Sequence, residues 1–529
     1  MNAFEPVEST SPVRRLHLIL GDQLAVESPL LKELHPETDA VLMMEVVEES
    51  RHVRTHHQRT VFFLSAMRHA ALALGKKGFR VDYVTLDDPA NRGSLGNELI
   101  RAIERLTPSS ITVARPGSWR VLQQLSKAAQ DCGHELTVQE DPHFLLTPER
   151  FRDWSDGRKK LQMGHFYQFM RREMNVLLDE EGGPIDGKWS FDAENRNAFK
   201  APPTPPKPWS ARPDAVTREV AELVDKVLPD LPGTRSMPSW PVTRRQALAQ
   251  LGHFTKHALK DFGRWQDAMW TGENFLWHAH LAPAMNIKLL DPREVIQAAI
   301  DAWQQGDVPI ESAEGFIRQV LGWREFVHGI YWTQGEDYPD RNTLAAVRPL
   351  PEAYWTGSTD MVCIGESVAP VLEHAYSHHI QRLMVTGTFA MMAGIDPRLV
   401  RDWYLGMFAD GVDWVTTPNV IGMSQWADGG IVGSKPYAAG GRYISRMSNY
   451  CKTCRFDPVQ TSGPEACPMS TLFWNFLDRN QERFRSNHRM GMMLRNLDRQ
   501  DPERLHAITL EGNRMLDALD RPDLGSDQN

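Results

Sequence analysis

The chain has 529 residues, is 41% hydrophobic and carries a formal charge of −9. That length can bury at least two substantial cores, and the acidic balance excludes a generally basic nucleic-acid coat while leaving room for one basic face. No apolar run reaches the roughly 18–20 residues that cross a bilayer, so no membrane-spanning helix is expected.

Arg14 and Arg15 precede only a short apolar run, Leu16–Leu20, which continues into Gly21-Asp22-Gln23. This reads as a first strand rather than a signal peptide. Apolar or alternating runs follow at Ala40–Val47, Phe79–Leu86, Ser110–Ala114 and Glu135–Gln139, with helical periodicity at Val61–Leu74, Leu99–Leu106 and Ser118–Ala129. Regular alternation of this kind predicts a Rossmann-like parallel sheet covered by helices, an α/β domain over residues 1–140. Ligands of such sheets sit at the carboxyl ends of the strands, where Gly21-Asp22-Gln23 falls. There is no G-x-G-x-x-G, so an ordinary dinucleotide clamp is not supported.

Residues 141–235 change character. A basic helix is expected around Arg158–Arg172, and the run Ala201–Pro208 holds five prolines, which suit a stiff extended connector between domains. From 236 to 529 the periodicity is helical, for example at Arg244–Leu259, Val295–Trp303, Ala313–Val327, Ser367–Val385 and Pro397–Phe408. A large all-α domain is predicted there. Its last stretch carries Arg479, Arg483, Arg485, Arg489, Arg495 and Arg499, which suit either a solvated helix face or a phosphate-facing one.

Four stretches of this domain could carry chemistry. In Phe316–Phe326, Gln319 and Trp323 share a helix face beside Arg324 and Glu325, as a pocket lining or as a buried structural ion pair. In Glu373–Arg382 a continuous helix would set His374, His378 and Arg382 along one face with His379 beside them, a cluster able to relay protons near neutral pH. In Trp403–Gly430, aromatic residues give way to Asp410, Asp413, a Pro418-Asn419 turn and a glycine-rich exit. The fourth stretch, Cys451–Pro468, holds three of the five cysteines: Cys451 and Cys454 two residues apart, then Cys467 followed by proline. Cys363 is the natural fourth ligand, since Cys132 lies in the other domain. Zinc on four cysteines and an iron–sulfur cluster both fit this set, and the Cys-Pro ending favours the cluster. So few cysteines, clustered as ligands, suit a reducing cytoplasm.

Gln-x-x-Gly-Trp-Arg-Glu-Phe at 319–326, Leu-Ile-Leu-Gly-Asp-Gln-Leu at 18–24, His-His-Ile-Gln-Arg at 378–382 and the cysteine framework together resemble the photolyase/cryptochrome family, in its iron–sulfur bacterial branch. The resemblance covers nearly the whole chain. It implies a helical domain that folds FAD into a U shape, with Gln319, Trp323, Arg324, Glu325, Asp410 and Asn419 around it. It also implies a 4Fe–4S cluster on Cys363, Cys451, Cys454 and Cys467, and an antenna, 6,7-dimethyl-8-ribityllumazine, beside Gly21, Asp22, Gln23 and Glu49. Trp403, Tyr404 and Trp355 would pass electrons, His378 and His379 would face the lesion as catalytic histidines, and Arg382, Met423 and Tyr437 would neighbour it. The implied activity is light-driven repair of (6-4) photoproducts in UV-damaged DNA by a cytoplasmic monomer. A photoreceptor of the same build and a light-independent iron–sulfur nucleic-acid-binding protein are the alternatives. Two places depart from the family pattern. Ala279 and Ala282 replace small hydroxyl residues suited to FAD phosphates, and Thr416-Thr417 replaces a segment that in some relatives places an acid before Pro-Asn.

Overall fold

The computed structural model describes residues 13–519. Five parallel strands, β1 (Arg15–Leu18), β2 (Asp39–Met44), β3 (Val81–Val84), β4 (Ser110–Ala114) and β5 (Leu136–Gln139), form one sheet in the order β3-β2-β1-β4-β5. Each strand is short, all but the edge strand β5 are largely buried, and alternate residues serve opposite faces. Leu16, Leu18, Leu42 and Val113 point toward the helices Leu95–Leu106 and Trp119–Asp131. Val41, Met43 and Tyr83 meet the helix His57–Lys76 in a cluster that runs on into the helical body. The sheet and the helices are therefore joined through a shared apolar core.

Between β5 and the helical body, Pro148–Ser155 and Met163–Glu173 bury Phe151, Phe166 and Tyr167 in that core. The helix Ala215–Val227 reaches back to the first domain, where Arg68 of His57–Lys76 binds Glu219 at 3.1 Å. The proline run 201–208 has neither helix nor strand, as its missing amide hydrogens require. Beyond it the chain is helical to the end of the described residues.

The helix expected over Ser367–Val385 is broken. It ends at His374 because Ala375 takes a left-handed φ of 54°, and the backbone restarts as helix only at His379. His374, His378 and Arg382 therefore do not share one helical face. The turn expected at Pro418-Asn419 is also absent. Asp413–Thr417 runs straight into a π-helical segment, Pro418–Ser424, so this proline sits inside a continuous helical stretch. A proline one turn into a helix meets few carbonyls behind it, and the wider π turn relieves the rest.

Candidate active site

The three chemistry-bearing stretches that lie on helices each contain a π-helical segment: Arg318–Arg324, Gln381–Gly387 and Pro418–Ser424. A π turn shifts the backbone bonding by one residue and is costly, which is why such turns concentrate at functional sites. Val320, Leu321, Leu383, Ile421 and Met423 carry all three into one apolar cluster, bordered by Trp323, Met384 and Tyr437. The last two segments touch closely. A Cβ on Gly387 would lie 2.3 Å from Ser424 Oγ and 2.7 Å from the Arg382 carbonyl oxygen, so only glycine fits there.

His378 lies at this junction, fully buried, and its ring stacks on that of His278 at 4.4 Å and 12°. Neither ring nitrogen of His378 nor Nε2 of His278 has a hydrogen-bond partner in the protein. Buried polar atoms of this kind are costly unless a ligand completes them. His379 has a large exposed area although protein surrounds it, so it lines a cleft. Burial lowers His378 to about 3, helped by His379 and Arg382. Burial also lowers His379 to about 4, with help from Arg382 and Arg196. Both imidazoles are thus neutral at pH 7 without a ligand.

Arg382 closes one side. Its guanidinium binds Asp410 at 3.0 Å and lies 4.2 Å over the Phe408 ring. Asn286, which no sequence motif singles out, donates from Nδ2 to the Asp410 carbonyl at 2.8 Å. It ends the short helix Ala282–Asn286, in a segment where Leu276, His280 and Lys288 hold φ of 47°, 55° and 67°. Three strained non-glycine residues in one segment mark a backbone shaped for something other than packing. The segment includes Ala279 and Ala282, which offer no hydroxyl. Gln319 and Trp323 remain half-buried among buried neighbours, four residues apart, as expected for a pocket wall. The Asn419 amide bonds locally to the Val415 carbonyl at 2.8 Å, and the Tyr437 carbonyl accepts from the Thr388 hydroxyl.

Arg324 and Glu325, which the sequence allows either as pocket lining or as a buried ion pair, and which the family resemblance places around FAD, take the second arrangement. They form a buried ion pair with each other. Arg324 binds His143 at 2.8 Å, and Glu325 accepts from the backbone nitrogens of Leu145 and Leu146 at 2.8 and 3.2 Å. The pair clamps the segment that leaves β5 onto the helical body. Burial pushes the Glu325 carboxyl up, against the pull of Arg324 and the two amides. Glu325→Gln leaves Arg324 as an uncompensated buried charge. It is expected to lower unfolding free energy by about 3–5 kcal/mol, read by urea or thermal denaturation.

An aromatic group adjoins the site. Trp403 is buried, with ring centroids 4.9 Å from Tyr404 and 5.0 Å from Tyr354. Its indole donates to the Tyr354 carbonyl at 3.0 Å, and the Tyr404 hydroxyl donates to the Arg382 carbonyl at 2.8 Å. Sequence reasoning misses Tyr354, although it directly precedes Trp355. Trp355 is half-buried, with the Arg54 guanidinium 4.5 Å over its ring.

Cys363, Cys451, Cys454 and Cys467 line one small cavity, with Tyr450, Phe456 and Met469. Among the described residues no three His, Cys, Asp or Glu side chains converge as ligands of a single ion. Burial, then the neighbouring cysteines, pushes Cys451 up to about 11, and Cys363 is raised in the same way. Cys363 reaches the loop because the helix Val362–His374 begins beside it. Four cysteines around one cavity suit a metal group held by thiolates.

A further, larger pocket opens where strand order reverses, at the carboxyl ends of β1, β2 and β4, and is closed by Leu405, Val412 and Asp413 of the helical body. Gly21, Asp22 and Glu49 line it, and Arg59, His52 and Arg120 join them. Asp22 Oδ2, Arg59 Nε and Arg120 Nη1 are buried without partners, so the pocket fits a polar ring system. Gln23, expected here, turns away. Its amide is tied to the Ala114 and Arg115 carbonyls at 2.9 and 3.2 Å, where it fastens β1 to β4.

Residues 17–240 match the family described as deoxyribodipyrimidine photo-lyase-related protein. A "(6-4) photolyase" of Agrobacterium fabrum is 44% identical over 506 residues, 96% of this chain and 100% of that protein. An uncharacterised protein, R855, of Acanthamoeba polyphaga mimivirus is 32% identical over 102 residues, 19% of this chain and 76% of its own. Among solved structures, a bacterial class III photolyase from Agrobacterium tumefaciens superposes with a TM-score of 0.56 at 15% identity, covering 96% of this chain and 99% of the other. A Synechocystis cryptochrome gives 0.54 at 15% identity, covering 84% and 90%. At that identity the two structures establish the fold alone.

Proposed function

We propose, because this chain belongs to the photolyase family, that it repairs (6-4) photoproducts in UV-damaged DNA with light. Membership brings a flavin cofactor, FAD. The observation that carries the reading is the close contact of two π turns, Gln381–Gly387 and Pro418–Ser424, beside partnerless imidazoles and the Arg382–Asp410 pair.

Gln319, Trp323, Asp410 and Asn419 would hold FAD, and backbone amides of the strained 276–288 segment would take the place of the hydroxyls missing at Ala279 and Ala282. Bound there and reduced, FAD supplies one photoexcited electron to the lesion and recovers it after repair. The lesion leaves the base stack, which is cheapest for damaged bases, and enters between Met423, Tyr437 and Arg382. His379 sits at the cleft and gives a proton to the hydroxyl that must move between the two rings. It takes the proton back once the bond joining the rings has broken, so neither protons nor electrons are consumed. His378 backs it from the buried side, with its own ring held by His278.

Trp403, Tyr404 and Trp355 would carry electrons from solvent toward FAD, with Tyr354 as a fourth aromatic in contact. Trp403→Phe is expected to slow flavin photoreduction at least tenfold in blue light, followed by absorbance; an unchanged rate would remove Trp403 as first donor. Cys363, Cys451, Cys454 and Cys467 would hold a 4Fe–4S cluster in a structural role. The pocket of Asp22, Glu49, Arg59 and Arg120 suits the lumazine antenna, whose ring edge offers both donors and acceptors.

The test is blue-light illumination of anaerobically purified protein with an oligonucleotide bearing one (6-4) adduct. Restored pyrimidines are expected in light and not in darkness. Reduced flavin without restored bases would overturn the repair reading in favour of a photoreceptor.

A further inference from the structure

The short loop from Phe408 to Gly411 ties together four parts of the chain. Its Ala409 amide donates to the Ala375 carbonyl at 2.9 Å, at the left-handed break that precedes His378 and His379. The Asp410 carbonyl accepts from Asn286 at 2.8 Å, and the Asp410 carboxylate binds Arg382 at 3.0 Å. Arg382 in turn donates from Nε to the Ser377 carbonyl at 2.7 Å, one residue before His378. The fourth tie comes from the first domain. Arg59, in the first turn of the helix His57–Lys76, donates from Nη2 to the Gly411 carbonyl at 2.7 Å.

The backbones on the two sides of this contact are closely fitted. The His56 amide donates to the Gly406 carbonyl at 3.0 Å, and a Cβ on Gly406 would overlap the Arg54 carbonyl oxygen. A Cβ on Gly411 would likewise overlap the Leu405 carbonyl oxygen, so both positions need glycine. Arg59 lines the first-domain pocket rather than the cleft. Its guanidinium lies 4.6 Å over the Phe63 ring, and its Nε has no partner. Burial lowers Arg59 to about 10, against the pull of Glu49, Asp410 and Asp22, so it stays charged at pH 7. A hydrogen bond from a charged donor is strong and directional, and the place of the loop therefore follows that of Arg59.

We propose that Arg59 is a positioning residue for lesion recognition: from the first domain it fixes the loop at Gly411, and through Asp410 it sets the Arg382 guanidinium in the cleft. The inference rests on the lesion entering beside Arg382. Affinity of the full-length, flavin-loaded protein is measured by anisotropy for two labelled duplexes, one with a single (6-4) adduct and one undamaged. The measurement is made in the dark, so that light capture plays no part. Arg59→Gln is expected to weaken binding to the damaged duplex about tenfold, the usual cost of losing a hydrogen bond from a charged donor, and to leave the undamaged duplex unaffected. Arg59→Lys keeps the charge and a single donor, and is the variant read if Arg59→Gln does not fold. Its preference for damaged DNA should also fall, by less. Hydrogen exchange without DNA is the second measurement. The Ala409 and Gly411 amides should exchange faster in Arg59→Gln, while the helix His57–Lys76 keeps its protection. A native preference for damaged DNA in both variants would overturn the proposal. Equal losses on both duplexes, or unchanged exchange in the loop, would overturn it too. Native protein that shows no preference for the damaged duplex would remove the repair reading together with the proposal, whereas a native preference that neither variant loses removes the proposal alone.

Discussion

Replacing His379 with alanine is expected to cut light-driven repair by about 10²–10⁴-fold, the usual worth of a positioned acid–base group, while flavin photoreduction continues. The separation follows from placement. His379 lies at the cleft, whereas the aromatic group of Trp403, Tyr404 and Tyr354 packs beyond Arg382. The sign of its pH dependence also follows. With its ordinary value lowered to about 4, His379 is uncharged at pH 7 in the free protein. The flavin and lesion phosphates must raise it before it can give a proton. Repair should therefore fall as pH rises through the value His379 reaches in the DNA complex. Its imidazole resonances should stay flat between pH 6 and 8 without DNA and titrate there with it. A His379→Ala protein that repairs normally would show that the donor is another group.

If the four cysteines hold the proposed metal–sulfur group, Cys363→Ala is expected to lose it and to have a disordered C-terminal region. The helix Val362–His374 and the loop Cys451–Cys467 meet around the cavity, and both lean on the cluster of Trp403, Phe476 and Leu477. Metal held by side chains from distant parts of a chain is folding free energy, on the order of 10 kcal/mol in structural sites. Iron content, circular dichroism and protease resistance report the loss. Full iron content in the variant would remove Cys363 from the ligand set.

Much of this architecture is legible in the order of the residues. The strands of the first domain announce themselves because each is short, apolar and bounded by turn residues, and Gly21-Asp22 falls where such sheets bind ligands. The cysteine site is legible because five cysteines leave few choices. The π turns are not, since a one-residue shift in backbone bonding leaves side-chain spacing nearly unchanged. The break at Ala375 carries no signal either, for alanine is a helix former and nothing in Glu373–Arg382 asks for a left-handed residue. Arg324 and Glu325 leave pocket and buried pair undecided in the sequence because their partners, His143 to Leu146, lie about 180 positions away. Gln23 misleads for a similar reason: its amide is used by β4, a strand that becomes its neighbour only on folding. Gln319 and Trp323 stay on one helical turn, half-buried, because four-residue spacing needs no distant partner.

The most direct measurement is the amount of flavin released by acid from the purified full-length chain. One FAD per chain is expected, with a Trp323→Ala protein holding markedly less. A colourless chain that takes up no flavin on reconstitution would contradict the account.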